Sequence, residues 1–296
     1  MIVTTRQDSF HKEFFMNYLS RKTVFFVVVL LLSYGVRSQE LSERDNPEVQ
    51  RIVPFQVFDN LYYVGARWVS AWLLVSDQGL ILFDSLYGDL TDIAIDGIRE
   101  LGFDPDDIRY VIVSHAHYDH IGGARRFQEE FGSVVMMTEA DWNMTTEPAE
   151  YQEYPIPIRH LSVSDGSTLN LGRTRLRFMQ TPGHTPGVLS TRFTVYDNGY
   201  PHDAVLFGGA GLNFSGVERT EMYINSIERL MQLENIEVNI PNHPDSGEIF
   251  ERYEILQERE DGDLHPFVDP ESWDAWLDIL MRNALGKLER EREAAN

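Results

Sequence analysis

The sequence contains no cysteine among its 296 residues. This absence excludes disulfide bridges, thiolate metal ligands, a cysteine nucleophile and lipid attachment to an N-terminal cysteine. Any transition metal in this chain must therefore be held by histidine, aspartate or glutamate side chains. The sequence also lacks the Gly-x-Ser-x-Gly elbow that presents a serine nucleophile in many hydrolases, so nothing in it indicates a covalent serine mechanism.

Positive charge is scarce too: 25 Lys and Arg residues stand against 47 Asp and Glu residues, which gives a net charge of −22. Nucleic-acid phosphates and anionic lipids would be repelled, so we expect a small-molecule substrate, no nucleic acid and no membrane role beyond export. Hydrophobic residues make up 43% of the chain, which is enough for a core. The length suits one large domain or two modest ones.

Long apolar runs are also missing, except near the N-terminus, where Val24–Leu32 is unbroken. Basic residues precede this run, and 36–38 offers small or tolerated residues for a peptidase. These are the parts of a secretory signal, and the run is too short for a comfortable membrane span. We therefore predict a signal peptide over 1–38, with Met1 or Met16 as its first residue, and a periplasmic or secreted mature domain over 39–296. An uncleaved anchor is the alternative.

The segment that organises the chain reads His-Ala-His-Tyr-Asp-His at 115–120, one residue after an apolar, β-branched run that ends at Val113. Imidazoles and a carboxylate at a strand end need partners, and zinc accepts both kinds of ligand. His115 and His117 are two residues apart, so on an extended backbone they would point the same way. Asp119 and His120 follow in a turn and would face a second position. The spacing allows one metal, and two adjacent metals fit it better.

Two later histidines have a similar setting. His184 lies in a Gly/Pro turn at 181–187 after a predicted strand, and His243 lies between Asn242 and Pro244 after another. A metal ligand must be held close to its ideal position, and rigid turns provide that, so both are predicted ligands. Asp84, at a further strand end, is either a hydrogen-bond partner of a ligand or a simple turn carboxylate. The other histidines are expected to be surface or locally hydrogen-bonded residues: His11, His160, His202 and His265.

The pattern at 115–120 and the Gly-His-Thr-Pro-Gly turn at 183–187 together resemble the metallo-β-lactamase superfamily, over about residues 50–250. The resemblance implies an α/β fold, namely a four-layer αββα sandwich with a dinuclear zinc site on the rim between the sheets. It also implies two ligand sets. One zinc would bind to His115, His117 and His184, and the second to Asp119, His120 and His243.

Other positions narrow the resemblance to the third subclass of class B β-lactamases. The first two subclasses use a cysteine, and glyoxalase-like and lactonase-like members usually carry a bridging aspartate where 207–211 here reads Phe-Gly-Gly-Ala-Gly. The resemblance implies ring opening of a β-lactam by a hydroxide that bridges two zinc ions and is oriented by the catalytic Asp119. Many members hold the substrate carboxylate with a hydroxyl residue near that strand, and here Asn213 and Ser215 stand nearby.

Alternative functions stay open at this point. The chain could be another secreted dizinc hydrolase, acting on a lactone, ester or thioester. It could also be a metal-binding protein without catalysis, or a redox di-iron protein.

The remaining pattern predicts two α/β halves. Apolar alternation predicts strands on either side of the 115–120 motif, including one that begins at Trp68. The segment 147–159 is predicted to be an irregular loop beside a cleft. The last helix is predicted over 272–290, with tryptophans on its apolar face.

Overall fold

The computed structural model describes residues 42–146 and 154–295. The predicted signal peptide lies outside these residues, and so does part of the predicted irregular loop, 147–153. No helix within the described ranges is both long and apolar enough to cross a membrane.

The first seven strands form one sheet, in the order in which they occur along the chain. The first four are paired antiparallel, and the pairs from the fourth to the seventh are parallel. Parallel neighbours require crossover connections, and helices supply them here. The strands are β1 Phe55–Phe58, β2 Leu61–Tyr63, β3 Trp72–Ser76, β4 Gly79–Phe83, β5 Ile108–Ile112, β6 Val134–Thr138 and β7 Leu161–Val163.

The second sheet has five strands in the order β12-β11-β10-β9-β8. Only β11 and β12 pair in parallel; the other neighbours are antiparallel. The strands are β8 Thr168–Leu171, β9 Thr174–Gln180, β10 Leu189–Asp197, β11 Tyr200–Phe207 and β12 Val238–Pro241.

Helices cover the outer faces of both sheets. Those between β4 and β7 pack on the first sheet, and the two longest pack on the second. The α-helices in the described residues are α1 Pro47–Gln50, α2 Thr91–Glu100, α3 Tyr118–Ile121, α4 Ala124–Glu130, α5 Glu139–Met144, α6 Val217–Met231, α7 Ile249–Gln257 and α8 Pro270–Ala295.

Alternate residues of the central strands enter different hydrophobic cores. In β4, Leu80 and Leu82 pack under the helices of the first sheet, whereas Ile81 and Phe83 pack between the two sheets. Because side chains of a strand alternate between its faces, a continuously apolar strand must be covered on both. A third core lies between the second sheet and the helices α6 and α8. These cores separate four layers and confirm the predicted αββα sandwich.

The third strand begins at Trp72, so the prediction that it starts at Trp68 was wrong. The chain turns just before it, where the Ala66 N–H donates to the Val69 carbonyl at 2.9 Å, and the Ser70 N–H donates to the Asn242 carbonyl at 3.0 Å. Apolar composition therefore marked a buried loop rather than an extended strand. This loop brings Trp68 to the same edge of the molecule as the end of β12.

The last helix is longer than predicted, running from Pro270 to Ala295 rather than over 272–290. Proline suits the first helical turn, where no backbone N–H is needed. Asp269 caps the helix by accepting a hydrogen bond from the Ser272 N–H at 3.1 Å. Trp273 and Leu277, on the predicted apolar face, are buried against the second sheet.

The segments that carry the predicted ligands all follow the carboxyl ends of strands. They come after β5, β9 and β12, while Asp84 follows β4 and a Gly-rich segment follows β11. Strand β4 is parallel to β5, and β11 is parallel to β12, so each pair ends at the same edge of its sheet. Strand β9 is antiparallel to β10, which is antiparallel to β11, so β9 and β11 run in the same direction. These five strands end at one rim of the sandwich. The topology thus gathers distant residues of the sequence into one site.

Candidate metal centre

The motif at 115–120 does not lie on a strand. β5 ends at Ile112, the chain bends through 114–117, and α3 begins at Tyr118. The expectation that an extended backbone aligns His115 and His117 was therefore wrong. The bend nevertheless brings the two rings together, with Nε2 of His115 3.0 Å from Nδ1 of His117.

A first group of donors consists of His115, His117 and His184. The turn after β9 brings Nε2 of His184 to 3.0 Å from Nε2 of His115, although the two residues are 69 positions apart in sequence. Two nitrogen ligands of a tetrahedral zinc ion are separated by about 3.3 Å, given Zn–N bonds of about 2.0–2.1 Å. The group therefore has dimensions that fit one such ion.

A second group consists of Asp119, His120 and His243. Nε2 of His120 lies 3.2 Å from Nε2 of His243, and an Asp119 carboxylate oxygen lies 3.4 Å and 3.5 Å from these two nitrogens. The ring centroids of His115 and His120 are 4.1 Å apart, so the two groups adjoin. All six residues singled out in the sequence thus converge.

The outward ring nitrogens of three histidines contact backbone carbonyl oxygens. Nδ1 donates from His115 to the Gly208 carbonyl at 2.6 Å, from His184 to the Gly211 carbonyl at 2.8 Å, and from His243 to the Trp68 carbonyl at 2.8 Å. A carbonyl can only accept, so these Nδ1 atoms carry the proton and leave Nε2 with a lone pair. Lone pairs that converge at about 3 Å repel one another unless a cation lies between them, so the donor set fits a metal.

The protonation of the first group agrees with that role. Burial, with the neighbouring His117, lowers the pKa of His184 to about 3, and burial likewise lowers the pKa of His117 to about 4. Burial, together with His120 and His184, holds the pKa of His115 well below its usual value. A metal needs the neutral imidazole, and all three rings are neutral at pH 7.

Asp84 is the partner of a ligand rather than a simple turn carboxylate. It accepts hydrogen bonds from His120 Nδ1 at 2.8 Å, from the Ser114 backbone N–H at 2.7 Å and from the Ser114 hydroxyl at 2.8 Å. Burial alone would lower the pKa of His120, but the carboxylates of Asp119 and Asp84 outweigh it and raise that pKa. Asp84 thus fixes the orientation of the His120 ring.

A family model described as "Metallo-beta-lactamase superfamily" matches residues 64–211, half of the chain, and this range holds five of the six converging residues. The chain belongs to the metallo-β-lactamase superfamily. Members of this superfamily are hydrolases, and the fold implies a bound metal, for which the two donor groups are the candidate sites.

Solved structures similar to this chain are subclass B3 metallo-β-lactamases. BJP-1 of Bradyrhizobium japonicum is 25% identical with a TM-score of 0.76, and the match covers 83% of this chain and 97% of that one. MEM-A1, isolated from a soil metagenome library, is 26% identical with a TM-score of 0.73, and the match covers 83% and 98%. The likeness therefore extends over nearly the whole of each of these enzymes.

Curated relatives are similar over a shorter stretch. A hydroxyacylglutathione hydrolase of Prochlorococcus marinus is 26% identical over 167 residues, which are 55% of this chain and 59% of the relative. A probable metallo-hydrolase of Bacillus subtilis is 28% identical over 177 residues, 57% of this chain and 77% of the relative. An N-acyl homoserine lactonase of a Bacillus species is 30% identical over 91 residues, 30% of this chain and 34% of that protein.

The superfamily motif at 115–120 is tied to the His184 turn by Asp141, a residue that the sequence did not single out. Asp141 is fully buried and accepts hydrogen bonds from the Ala116 N–H at 2.8 Å, the Gly187 N–H at 2.7 Å and the Thr185 hydroxyl at 2.8 Å. Burial raises the pKa of its carboxyl to about 6, although these three donors oppose the rise. Its position three residues after the end of β6 was the only available signal.

The Gly-rich segment after β11 supports the ligands through its backbone. The Gly208 carbonyl accepts from both His115 and Asn242, the latter through Nδ2 at 2.8 Å. A Cβ on Gly208 would lie 2.2 Å from the Leu189 carbonyl oxygen, so only glycine fits there. The segment brings no carboxylate to either donor group, in agreement with its sequence.

A cavity of about 560 Å³ opens over the two groups. Its walls include five of the six donors, the rings of Trp68, Tyr118 and Trp276, and the Arg44 side chain. Of the two residues considered for substrate contact, Asn213 lines this cavity, whereas Ser215 lines a separate hollow beside Arg219.

The remaining histidines in the described residues take local roles, as expected. His160 contacts the Gln128 side chain, and His202 Nδ1 lies 3.2 Å from a Glu237 carboxylate oxygen. His265 is buried rather than on the surface, with its Nε2 donating to the Val57 carbonyl at 2.9 Å. His11 lies outside the described residues.

Proposed function

We propose that the protein is a zinc-dependent β-lactamase that hydrolyses the cyclic amide of a β-lactam, with two zinc ions per chain. In this proposal His115, His117 and His184 hold one ion, and Asp119, His120 and His243 hold the other. The observation that carries the proposal is the second donor group, which is made of one aspartate and two histidines and receives no carboxylate from the segment after β11.

Two facts support this function over others in the superfamily. The similarity to B3 enzymes spans 83% of this chain and 97% of BJP-1, whereas the match to the hydroxyacylglutathione hydrolase spans 55% and 59%. The ligand pattern also favours a β-lactamase, since glyoxalase-like and lactonase-like members usually carry a bridging aspartate where this chain has 207–211, which contains no carboxylate. Zinc is the favoured metal because the donors are five imidazoles and one carboxylate.

The residues of the site have different roles in the proposed hydrolysis. Zinc, when bound, polarises a substrate carbonyl and lowers the pKa of a bound water to about 7. Asp119 lines the cavity, and its pKa is lowered because His120, His243 and His117 outweigh the effect of burial. Asp119 is therefore a carboxylate at neutral pH, able to orient water and to accept its proton. The rings of Trp68 and Trp276 form apolar walls against which the rest of the substrate packs.

A second candidate is a hydrolase of lactones or thioesters with the same site. It is favoured by the curated relatives, which include a hydroxyacylglutathione hydrolase and an N-acyl homoserine lactonase. The same groups would act on an ester or thioester carbonyl, so a comparison of substrates is the measurement that separates the two candidates.

The deciding experiment measures hydrolysis of nitrocefin and a carbapenem by the zinc-loaded protein, beside a homoserine lactone and a glutathione thioester. We expect β-lactam turnover that a chelator abolishes and added zinc restores. Asp119→Ala should lower turnover by orders of magnitude with zinc content checked, and the exposed Asp278→Ala should not. Turnover confined to the lactone or thioester would refute the β-lactamase and support the second candidate. Zinc binding without turnover of any substrate in the panel would refute both candidates.

We also propose that the mature chain is periplasmic or secreted. The proposal rests on the composition of residues 1–38, with their basic segment, short apolar run and small-residue exit. Mass measurement of the N-terminus after expression and cell fractionation tests it. Recovery of the full-length chain in the cytoplasmic fraction would refute it.

A further inference from the structure

One cation faces the cavity over the metal centre. Among the described residues that line the cavity, Arg44 is the only lysine or arginine. The carboxylates on the same wall are Asp119, in the second donor group, and Asp245, just after His243. In a chain of net charge −22, a lone guanidinium at this place is the feature that would select an anionic ligand.

Arg44 is held in place by the aromatic wall of the cavity. Its guanidinium carbon lies 4.2 Å from the centroid of the Trp68 ring, a cation–π arrangement. The Trp68 ring in turn lies 5.3 Å from the ring of His243, so one aromatic side chain separates Arg44 from the second donor group. The guanidinium also lies near the Tyr118 phenol, on which its positive charge acts.

The backbone at Arg44 is fixed as well. The Tyr87 hydroxyl lies 3.1 Å from the Arg44 carbonyl oxygen and 2.8 Å from a carboxylate oxygen of Asp45. The Gln50 side chain donates to the Glu43 carbonyl at 3.0 Å and accepts from the Trp68 N–H at 3.1 Å. These bonds attach the arm at 43–50 to the loop that carries Trp68, so the backbone that carries Arg44 is positioned before a ligand arrives.

The guanidinium of Arg44 offers N–H donors to a ligand. It has five N–H groups, its side chain is exposed, and it forms no ion pair of 4 Å or less with another described residue. The segment after β11 offers no hydroxyl at Ala210 or Gly211. A planar guanidinium can bind both oxygens of a carboxylate, which makes it the strongest carboxylate ligand on this wall.

We propose that Arg44 forms a carboxylate subsite on the N-terminal arm, so that the substrate is an anion whose apolar part lies on Trp68 and Trp276. The assignment of the carboxylate to a substrate rests on the proposed function. It makes Arg44 a specificity-determining residue and predicts that the protein prefers carboxylate-bearing substrates to their neutral esters.

The test compares Arg44→Gln with the matched control Arg99→Gln, which removes the same charge from an exposed position on α2 away from the cavity. Nitrocefin and its methyl ester serve as the substrates, with zinc content verified for each variant. For Arg44→Gln we expect KM to rise about 10- to 100-fold for the acid at nearly constant kcat, with little change for the ester. Arg44→Lys should keep part of the preference, because it keeps the charge and loses the bidentate geometry.

A binding measurement separates this proposal from the proposed function. Zinc-loaded protein is titrated calorimetrically with 2-mercapto-3-phenylpropionic acid and with its methyl ester, neither of which needs to be hydrolysed. Loss of the acid preference in Arg44→Gln alone, weaker at high salt, supports the subsite even if no β-lactam is turned over. Equal effects on acid and ester, or the same loss in Arg99→Gln, overturn the subsite even if β-lactams are hydrolysed.

Discussion

Replacing Asp141 by Asn should separate the stability of the protein from its affinity for zinc. Asp141 joins the bend that carries His115 and His117 to the turn that carries His184, through the N–H groups of Ala116 and Gly187. Asn has the same shape but only one acceptor oxygen. Whichever way its amide is oriented, one of these two backbone donors faces an NH₂ group and one of the two turns must move.

The expected free energies largely cancel for the metal-free protein. One unsatisfied buried donor costs about 1–3 kcal/mol. In the other direction, burial raises the pKa of Asp141 from 3.8 to about 6, so the ionised carboxylate costs about 3 kcal/mol at pH 7 that Asn does not. The free energy of unfolding should therefore change by less than about 2 kcal/mol. The moved turn acts only on the donor geometry, and zinc affinity should fall about 10-fold or more.

The assay pairs chemical denaturation of the metal-free protein with zinc titration against a chromogenic chelator. Asp278→Asn is the matched control, because it makes the same charge change at an exposed position on α8. Cobalt substitution reports whether the first donor group is the one disturbed, through the ligand-field spectrum. An Asp141→Asn protein that binds zinc as tightly as the parent, with unchanged kcat/KM, would refute the reasoning.

Three other predictions concern the same rim. Asp84→Asn places an amide against the Nδ1–H of His120, so the zinc affinity of the second group should fall about 10- to 100-fold. Metal analysis after dialysis measures this fall, and full occupancy of the second group would contradict the prediction. Gly208→Ala should lower the free energy of unfolding by about 2–4 kcal/mol, because the added Cβ would lie 2.2 Å from a carbonyl oxygen. Gly102→Ala is the control: its added Cβ has no atom within 4 Å, so it should cost only backbone strain. Acidification should release metal from the second group first. Burial lowers the pKa of His120, but Asp119 and Asp84 raise it overall, whereas the pKa of His184 is about 3. Protons should therefore displace metal from His120 at a higher pH than from His184. Simultaneous loss from both groups in a pH titration of bound cobalt would argue against this.

The sequence by itself determined which residues could bind a metal, and its resemblance to a known superfamily implied the four-layer fold. With no cysteine, only histidine and carboxylate ligands were available, and the pattern at 115–120 is dense enough to stand out without a fold. The residues of strand β4, Gly-Leu-Ile-Leu-Phe, are too apolar for a strand with one face in water, so their composition is enough to indicate burial on both faces. Local composition suffices for such features, since burial and ligand chemistry are properties of the residues themselves.

Only the tertiary structure decided which residues hold the ligands in place. Gly208, Asp141 and Trp68 act through a backbone carbonyl, a buried carboxylate and a loop carbonyl, and their partners are 93, 25 and 175 positions away. The same holds for the bend that replaces an extended strand at His115 and His117. It holds also for Arg44, whose proposed role depends on an arm that is hydrogen-bonded to the loop carrying Trp68. Hydrogen bonds of this kind leave no periodicity in the sequence, because any residue can supply a backbone carbonyl and the topology alone determines which one is near.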